Sequence, residues 1–289
     1  MTKNKSDPIS PAGPDVNVGS IQNRIHPAAE LNRPMSILLY GRSGTGKTTI
    51  AATFPKPLLF LDIKEFGTDS VCDIPGIDAL YVETWQDFET IYWFLRAGNH
   101  QYKTIVIDTV TMMQKLAQEY SLEQDGKEKD GQMNKNLWGI TSKTMCAWLI
   151  NYRDLPYNIV FLAQDRITTE EGAREDQITP EVGPRLMPSV AACINAAVRI
   201  IGQTYIKEYT KNTQEKGLEK IFSYRLRLGA NAYYLTKVRK IKEIAVPESI
   251  ANPSYEKLMK LLKPAEPAEI KTEPKPIEKL RVVKPDAPA

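Results

Sequence analysis

Residues 41–49 read GRSGTGKTT, directly after the apolar run MSILLY (35–40) and directly before IAATF (50–54). The stretch from Gly41 to Thr48 satisfies the full G-x-x-x-x-G-K-[ST] phosphate-loop pattern, and it stands between a strand-like and a helix-like segment as that pattern requires. Gly41, Gly44 and Gly46 let the chain wrap around phosphates and expose backbone N–H groups, while the helix after the loop adds its positive end. Lys47 is expected to bridge the β- and γ-phosphates of ATP, and the Thr48 hydroxyl to ligate Mg²⁺. Arg42, Ser43, Thr45 and Thr49 complete the expected nucleotide-binding set.

Outward from this loop, apolar runs alternate with helical patterns. KTTIAATF (47–54) reads as a helix, PLLFLDI (57–63) and DALYVE (78–83) as strands. TWQDFETIYWFLRAG (84–98) has apolar residues at helical spacing behind a Thr84 cap, with Asp87 three residues on. KTIVIDTV (103–110) is a buried strand, followed by the helix TMMQKLAQEYSLEQ (111–124), a polar loop at 125–136 and the helix LWGITSKTMCAWLINYRDL (137–155). NIVFLAQ (158–164) is the next strand. Short apolar strands separated by helices predict an α/β fold, a mostly parallel sheet with helices on both faces. Beyond residue 196 the character changes. AAVRIIGQTYI (196–206) and KIFSYRLRLG (220–229) read as a C-terminal β-hairpin, with the polar stretch KEYTKNTQEKGLE (207–219) as its turn. The expected domain spans 34–262. The polar residues 1–33 read as a disordered arm, and the Pro/Lys/Glu-rich residues 263–289 as a flexible tail.

With 42% hydrophobic and 25% charged residues, the composition is that of an ordinary globular protein, and a formal charge of +3 specifies no partner. Cys72, Cys146 and Cys193 form no CxxC pair, so a zinc site is not expected and a reducing, cytoplasmic setting is. No apolar run approaches the ~18 residues of a membrane span, and no membrane partner is expected.

Three further positions carry chemistry. Asp108 ends the strand TIVID, at the same sheet edge as the phosphate loop, where a carboxylate holds the metal through water. Asp62 and Glu65, in LFLDIKEFG (59–67), offer a carboxylate to deprotonate the attacking water; Glu65 is the preferred base and Asp62 the alternative. Gln164 ends its own strand and is placed to sense the γ-phosphate and relay its presence to the next loop.

The order of phosphate loop, acid after the second strand, IVIDT and FLAQ resembles the RecA-type ATPase core. More closely, the chain resembles the phage-encoded AAA-type proteins that form the RecA-like branch of the single-strand annealing proteins. The resemblance covers roughly residues 34–262 and rests on YGRSGTGKTT, TFPKPLLFLDI, YKTIVIDTV and YYLTKVRK followed by VPESIANPSYEKL. It implies ATP hydrolysis with Mg²⁺, a homo-oligomer (ring or filament), and single-stranded DNA as partner, with a single-strand-binding protein as a further candidate partner. In the family the acid after the second strand lies two residues beyond the Asp; here Lys64 holds that place and Glu65 comes one later.

The resemblance also implies DNA-contacting loops near 123–136 and 165–187. The second carries six acids against Arg166, Arg174 and Arg185, which argues against phosphate contact by the whole loop and leaves those arginines as individual candidates. Basic charge concentrates instead at 207–242, with ten Lys or Arg against three Glu. Alternation in FSYRLRL puts Phe222, Tyr224, Leu226 and Leu228 on one side and Arg225 and Arg227 on the other, predicting that a hairpin buried by its apolar face presents the arginines outward. Lys237 and Arg239 resemble the Lys-x-Arg element that reaches a neighbour's γ-phosphate in RecA-class assemblies. The rival readings are a helicase-type motor or helicase loader, and a small-molecule phosphotransferase. The phosphotransferase needs a basic lid with spaced arginines, which is not evident before Gln164.

Overall fold

A computed structural model describes residue 25 and residues 34–168, 181–213, 217–239 and 244–262. The expected N-terminal arm, apart from Ile25, and the expected tail lie outside the described residues, as does Arg174.

Strand β1 (Ser36–Tyr40) leads through the glycine loop into helix α1 (Lys47–Ala51). Then come β2 (Leu58–Asp62), β3 (Ile77–Tyr81), α2 (Trp85–Ala97), β4 (Thr104–Asp108), α3 (Val110–Gln124), α4 (Lys135–Arg153) and β5 (Asn158–Ala163). A short antiparallel pair, β6 (Asp165–Thr168) and β7 (Glu181–Pro184), precedes α5 (Pro188–Ala197). The chain closes with β8 (Ile200–Thr213), β9 (Gly217–Arg227), β10 (Lys237–Val238), β11 (Ser249–Ala251) and α6 (Tyr255–Met259).

Among the described residues the main sheet has nine strands, ordered β11-β9-β8-β1-β5-β4-β2-β3, with β10 also paired to β8. From β8 to β3 every pairing is parallel, and the strands beyond β8 are antiparallel. The predicted mostly parallel α/β fold is therefore the observed one. β1, β2 and β4 are buried at every position because both sheet faces are covered. Side chains of α2, α3, α4 and α5 pack on one face around Phe88, Leu116, Leu149 and Ile194; α1 and α6 pack on the other around Ile50 and Leu258. The Thr84–Asp87 capping box that starts α2 forms as predicted, each side chain accepting from the other residue's backbone N–H.

Three expectations are corrected. The stretch 207–219 is not a turn: most of it continues β8 and β9, paired from Lys207↔Ser223 to Thr213↔Gly217. Polar strands survive there because the pairing is made by backbone groups, alternate residues bonding across the ribbon, whatever the side chains are. Residues 165–168 and 181–184 are a strand pair and not a loop, and 188–197 is a helix the apolar pattern had not marked. Third, Arg225 and Arg227 do not stand outward. Ser249–Ala251 adds β11 beside β9, so the arginines are half-buried: Arg225 Nη1 donates to Ser249 Oγ at 3.1 Å, and Arg227 lies 4.9 Å over the Tyr205 ring and 4.1 Å over that of Tyr234. The apolar face is correspondingly split. Leu226 and Leu228 are buried, whereas Phe222 and Tyr224 are exposed. No helix among the described residues is long and apolar enough to cross a membrane.

Candidate active site

The parallel order puts β5 between β1 and β4, so the phosphate loop, Gln164 and Asp108 leave three adjacent strands at one sheet edge. The loop is tied down on both sides. Gly41 N donates to Ala163 O at 3.2 Å, and Thr45 Oγ1 donates to Arg42 O and meets buried Thr204 Oγ1 of β8, both at 2.7 Å. Gly41 is required by this packing, because a Cβ there would stand 2.3 Å from Thr204 Oγ1.

Lys47 Nζ donates to the carbonyls of Gly41 and Arg42, each at 2.9 Å. Burial lowers its pKa, opposed by the charges of Asp108, Glu65 and Asp165. Thr48 Oγ1 donates to Asp108 Oδ2 at 3.1 Å, which brings the two expected metal ligands together. Burial pushes the Asp108 carboxyl up to about 6, with Asp62 and Glu65 adding to the effect and the Thr48 hydroxyl opposing it. Three carboxylates crowd this edge. Asp62 is taken up by its own turn, so the oxygens on offer to a cation are those of Thr48 and Asp108, a small set that suits Mg²⁺ because that ion keeps several of its waters. Gly67 closes the floor: a Cβ there would lie 2.7 Å from Asp108 Oδ2.

The two candidate bases separate cleanly. Asp62 accepts from Phe66 N at 3.0 Å, Thr68 N at 3.4 Å and Thr68 Oγ1 at 2.9 Å, so it caps the turn after β2. Lys64 points away to Glu119 at 3.0 Å. Glu65 instead reaches the site, where its Oε1 accepts from Gln164 Nε2 at 2.8 Å. The one-residue shift from the family pattern is accommodated by Lys64 (φ 59°) and Phe66 (φ 51°), both left-handed. Two non-glycine residues in that region cost on the order of 1–3 kcal/mol each, and they flank the one side chain that reaches Gln164. Burial raises the Glu65 pKa, Lys47 opposes it and Asp62 adds to it. A carboxylate poised nearer neutrality is a better acceptor for a water proton.

Gln164 also anchors the segment after β5. Its backbone N donates to Thr111 Oγ1 at 3.1 Å, and its carbonyl accepts from Arg185 N at 2.7 Å, the residue just past β7. It sits at the root of the β6–β7 pair, which carries Arg166. The more distant candidates fall elsewhere. Lys237 and Arg239 donate to the carbonyls of Asn195 and Ala196, at the C-terminal end of α5. Lys237 and Val238 pair with Ile201 and Ile200, which face Leu38 and Ile37, so β10 lies about 10–13 Å back along β1 from Gly41, and two strands to the side, towards the sheet's other edge. In the 123–136 segment, Lys127 and Lys129 pair locally with Asp125 and Glu123.

Sequence reasoning missed Thr109, Tyr224 and Asn252–Ser254, which line the site cavity of about 680 Å³ together with Lys47, Thr48, Glu65 and Asp108. For Asn252–Ser254 a signal existed: Asn-Pro-Ser before a helical run marks a turn ending in an N-cap, and Ser254 does cap α6.

A phosphate loop opening a helix beside a parallel sheet, with a threonine hydroxyl bonded to a strand-end aspartate and a glutamate lining the same cavity, marks a nucleotide-binding P-loop ATPase, a class that typically uses ATP and Mg²⁺. Within that class the chain belongs to the AAA domain family, whose model matches residues 33–227. No curated protein matches it.

Proposed function

We propose that the protein hydrolyses ATP as a homo-oligomer on single-stranded DNA, in phage recombination or annealing, replication or repair. The observation that carries this reading is the hydrogen bond from Gln164 to Glu65, because the same glutamine roots the β6–β7 pair. Mg²⁺ would neutralise charge on the phosphates when bound. Lys47 would hold phosphate oxygens, and Thr48 with Asp108 would hold the metal. Glu65 takes the proton of the attacking water, and Gln164, bonded to that base, transmits a change at the phosphate to the β6–β7 pair. Such a linkage gives nucleotide state a mechanical output at a surface element, which a small-molecule phosphotransferase does not need.

An oligomer is supported by Lys237 and Arg239. Lys237 on β10 and Arg239 just past it lie away from the chain's own phosphate loop, so if they act on a γ-phosphate it is a neighbour's, reached by leaving the carbonyls of Asn195 and Ala196. The test is ATP hydrolysis with and without single-stranded DNA, with particle size measured in both conditions. Stimulation together with DNA-dependent growth in size is expected. A rate and a size both indifferent to DNA would refute the proposal.

A further inference from the structure

The phosphate chemistry uses one end of the site cavity. The other end is walled by Thr53, Tyr224, Asn252, Pro253 and Ser254, none of which that chemistry needs. The Tyr224 ring hangs over the phosphate loop, with Cδ1 3.3 Å from the point where a Gly46 Cβ would stand, and the residue keeps 46% of its surface exposed. An exposed aromatic ring aimed into a cavity, on a strand whose next inward residues Leu226 and Leu228 are buried, is a surface waiting for a planar partner.

The adjoining Asn252–Ser254 turn is fastened at both ends. Asn252 N donates to Tyr224 O and Tyr255 N donates to Thr53 Oγ1, both at 2.9 Å, so the turn is tied to β9 on one side and to the end of α1 on the other. Lys257 Nζ braces it by donating to the carbonyls of Ala251 and Asn252. Asn252 is left-handed at φ 45°, a conformation asparagine tolerates better than most residues. An exposed aromatic ring beside a rigid Asn-Pro turn, both lining the cavity that the phosphate loop also lines, has the chemistry of a nucleobase pocket.

We infer that this end of the cavity is the base subsite of the nucleotide, with Tyr224 as the stacking face and the Asn252–Pro253 turn as the adjoining wall. The inference rests on the phosphate-loop reading of the other end. It assigns function to residues 252–254, which lie beyond the 33–227 match to the AAA domain family. Nucleotide binding thereby engages the hairpin and the C-terminal segment as well as the loop.

Calorimetric titration of the full chain with Mg-ATP and with Mg-tripolyphosphate separates base from phosphates. Tyr224→Ala should weaken ATP binding by about tenfold or more and leave tripolyphosphate binding unchanged, since stacking belongs to the base alone. Tyr224→Phe should bind ATP within about twofold of the parent, and Tyr224→Leu should fall with Ala because bulk without a π-face does not stack. Equal weakening of both ligands would make Tyr224 a prop for the loop and overturn the inference, as would unchanged ATP affinity in Tyr224→Ala. Lys47→Ala tests the underlying reading separately: it should lose both ligands, and retention of both would refute the phosphate site whatever Tyr224 does.

Discussion

Replacing Glu65 by Gln isolates the proposed base with little structural disturbance. The amide oxygen of the new side chain can still accept from Gln164 Nε2, so the 2.8 Å bond that holds position 65 survives. What disappears is the ability to take a proton, and a positioned general base contributes on the order of 10²–10⁴ in rate. E65Q should therefore bind Mg-ATP within about threefold of the parent while single-turnover hydrolysis falls by that factor of about 10²–10⁴. The parent's pH profile gives a second readout. Burial raises the Glu65 pKa, so hydrolysis is present above that value and is lost as pH falls through it, at a higher pH than an ordinary glutamate would give. The rival base behaves differently. Asp62 accepts three hydrogen bonds from the turn it caps, so D62N should cost about 1–3 kcal/mol of stability and lower Tm by several degrees. Its folded fraction should still hydrolyse ATP. Glu65 is not the base if E65Q turns over near the parental rate, or if folded D62N loses as much activity as E65Q is expected to.

Lys47→Ala and Asp108→Ala should each abolish ATP hydrolysis with an unchanged circular dichroism spectrum, because both side chains act on nucleotide or metal and not on the core. Removing Arg225 and Arg227 together should lower stability by about 1–3 kcal/mol, read as a lower melting temperature, through lost contacts to Tyr205, Tyr234 and Ser249. Because those contacts occupy the guanidinium groups, the log–log salt slope of DNA binding should not change; a loss of about 0.7 per arginine would restore them as phosphate contacts. A double variant lacking Lys237 and Arg239 should bind ATP yet hydrolyse it on the order of 10³ more slowly. Mixing it with Lys47→Ala subunits should restore some activity, since mixed interfaces then pair one intact phosphate loop with one intact Lys-x-Arg; no recovery in mixed oligomers shown to form would remove the trans role.

What the sequence made legible was whatever local chemistry dictates. The phosphate loop, the Asp108 strand and the Thr84 capping box are each decided by residues within a few positions of one another, and each is found where expected. The choice between Asp62 and Glu65 was not decidable that way. It turns on two left-handed residues, Lys64 and Phe66, which no local preference predicts. Alternation in FSYRLRL was read with the correct period, but which face is buried depends on β11 and on Tyr205 and Tyr234, which are distant in the chain. Tyr224 was hidden for the same reason. As an apolar residue in an alternating strand it reads as core, and only the placement of the hairpin over Gly46 turns it towards the site.

The coupling of hydrolysis to DNA through Gln164 is tested most directly by steady-state ATPase rates of the parent and Gln164→Ala, each with and without single-stranded DNA. The parent should be stimulated. Gln164→Ala should bind ATP and retain a basal rate but show no stimulation, because the link between Glu65 and the root of the β6–β7 pair has been cut. Equal stimulation of the two proteins would contradict the account.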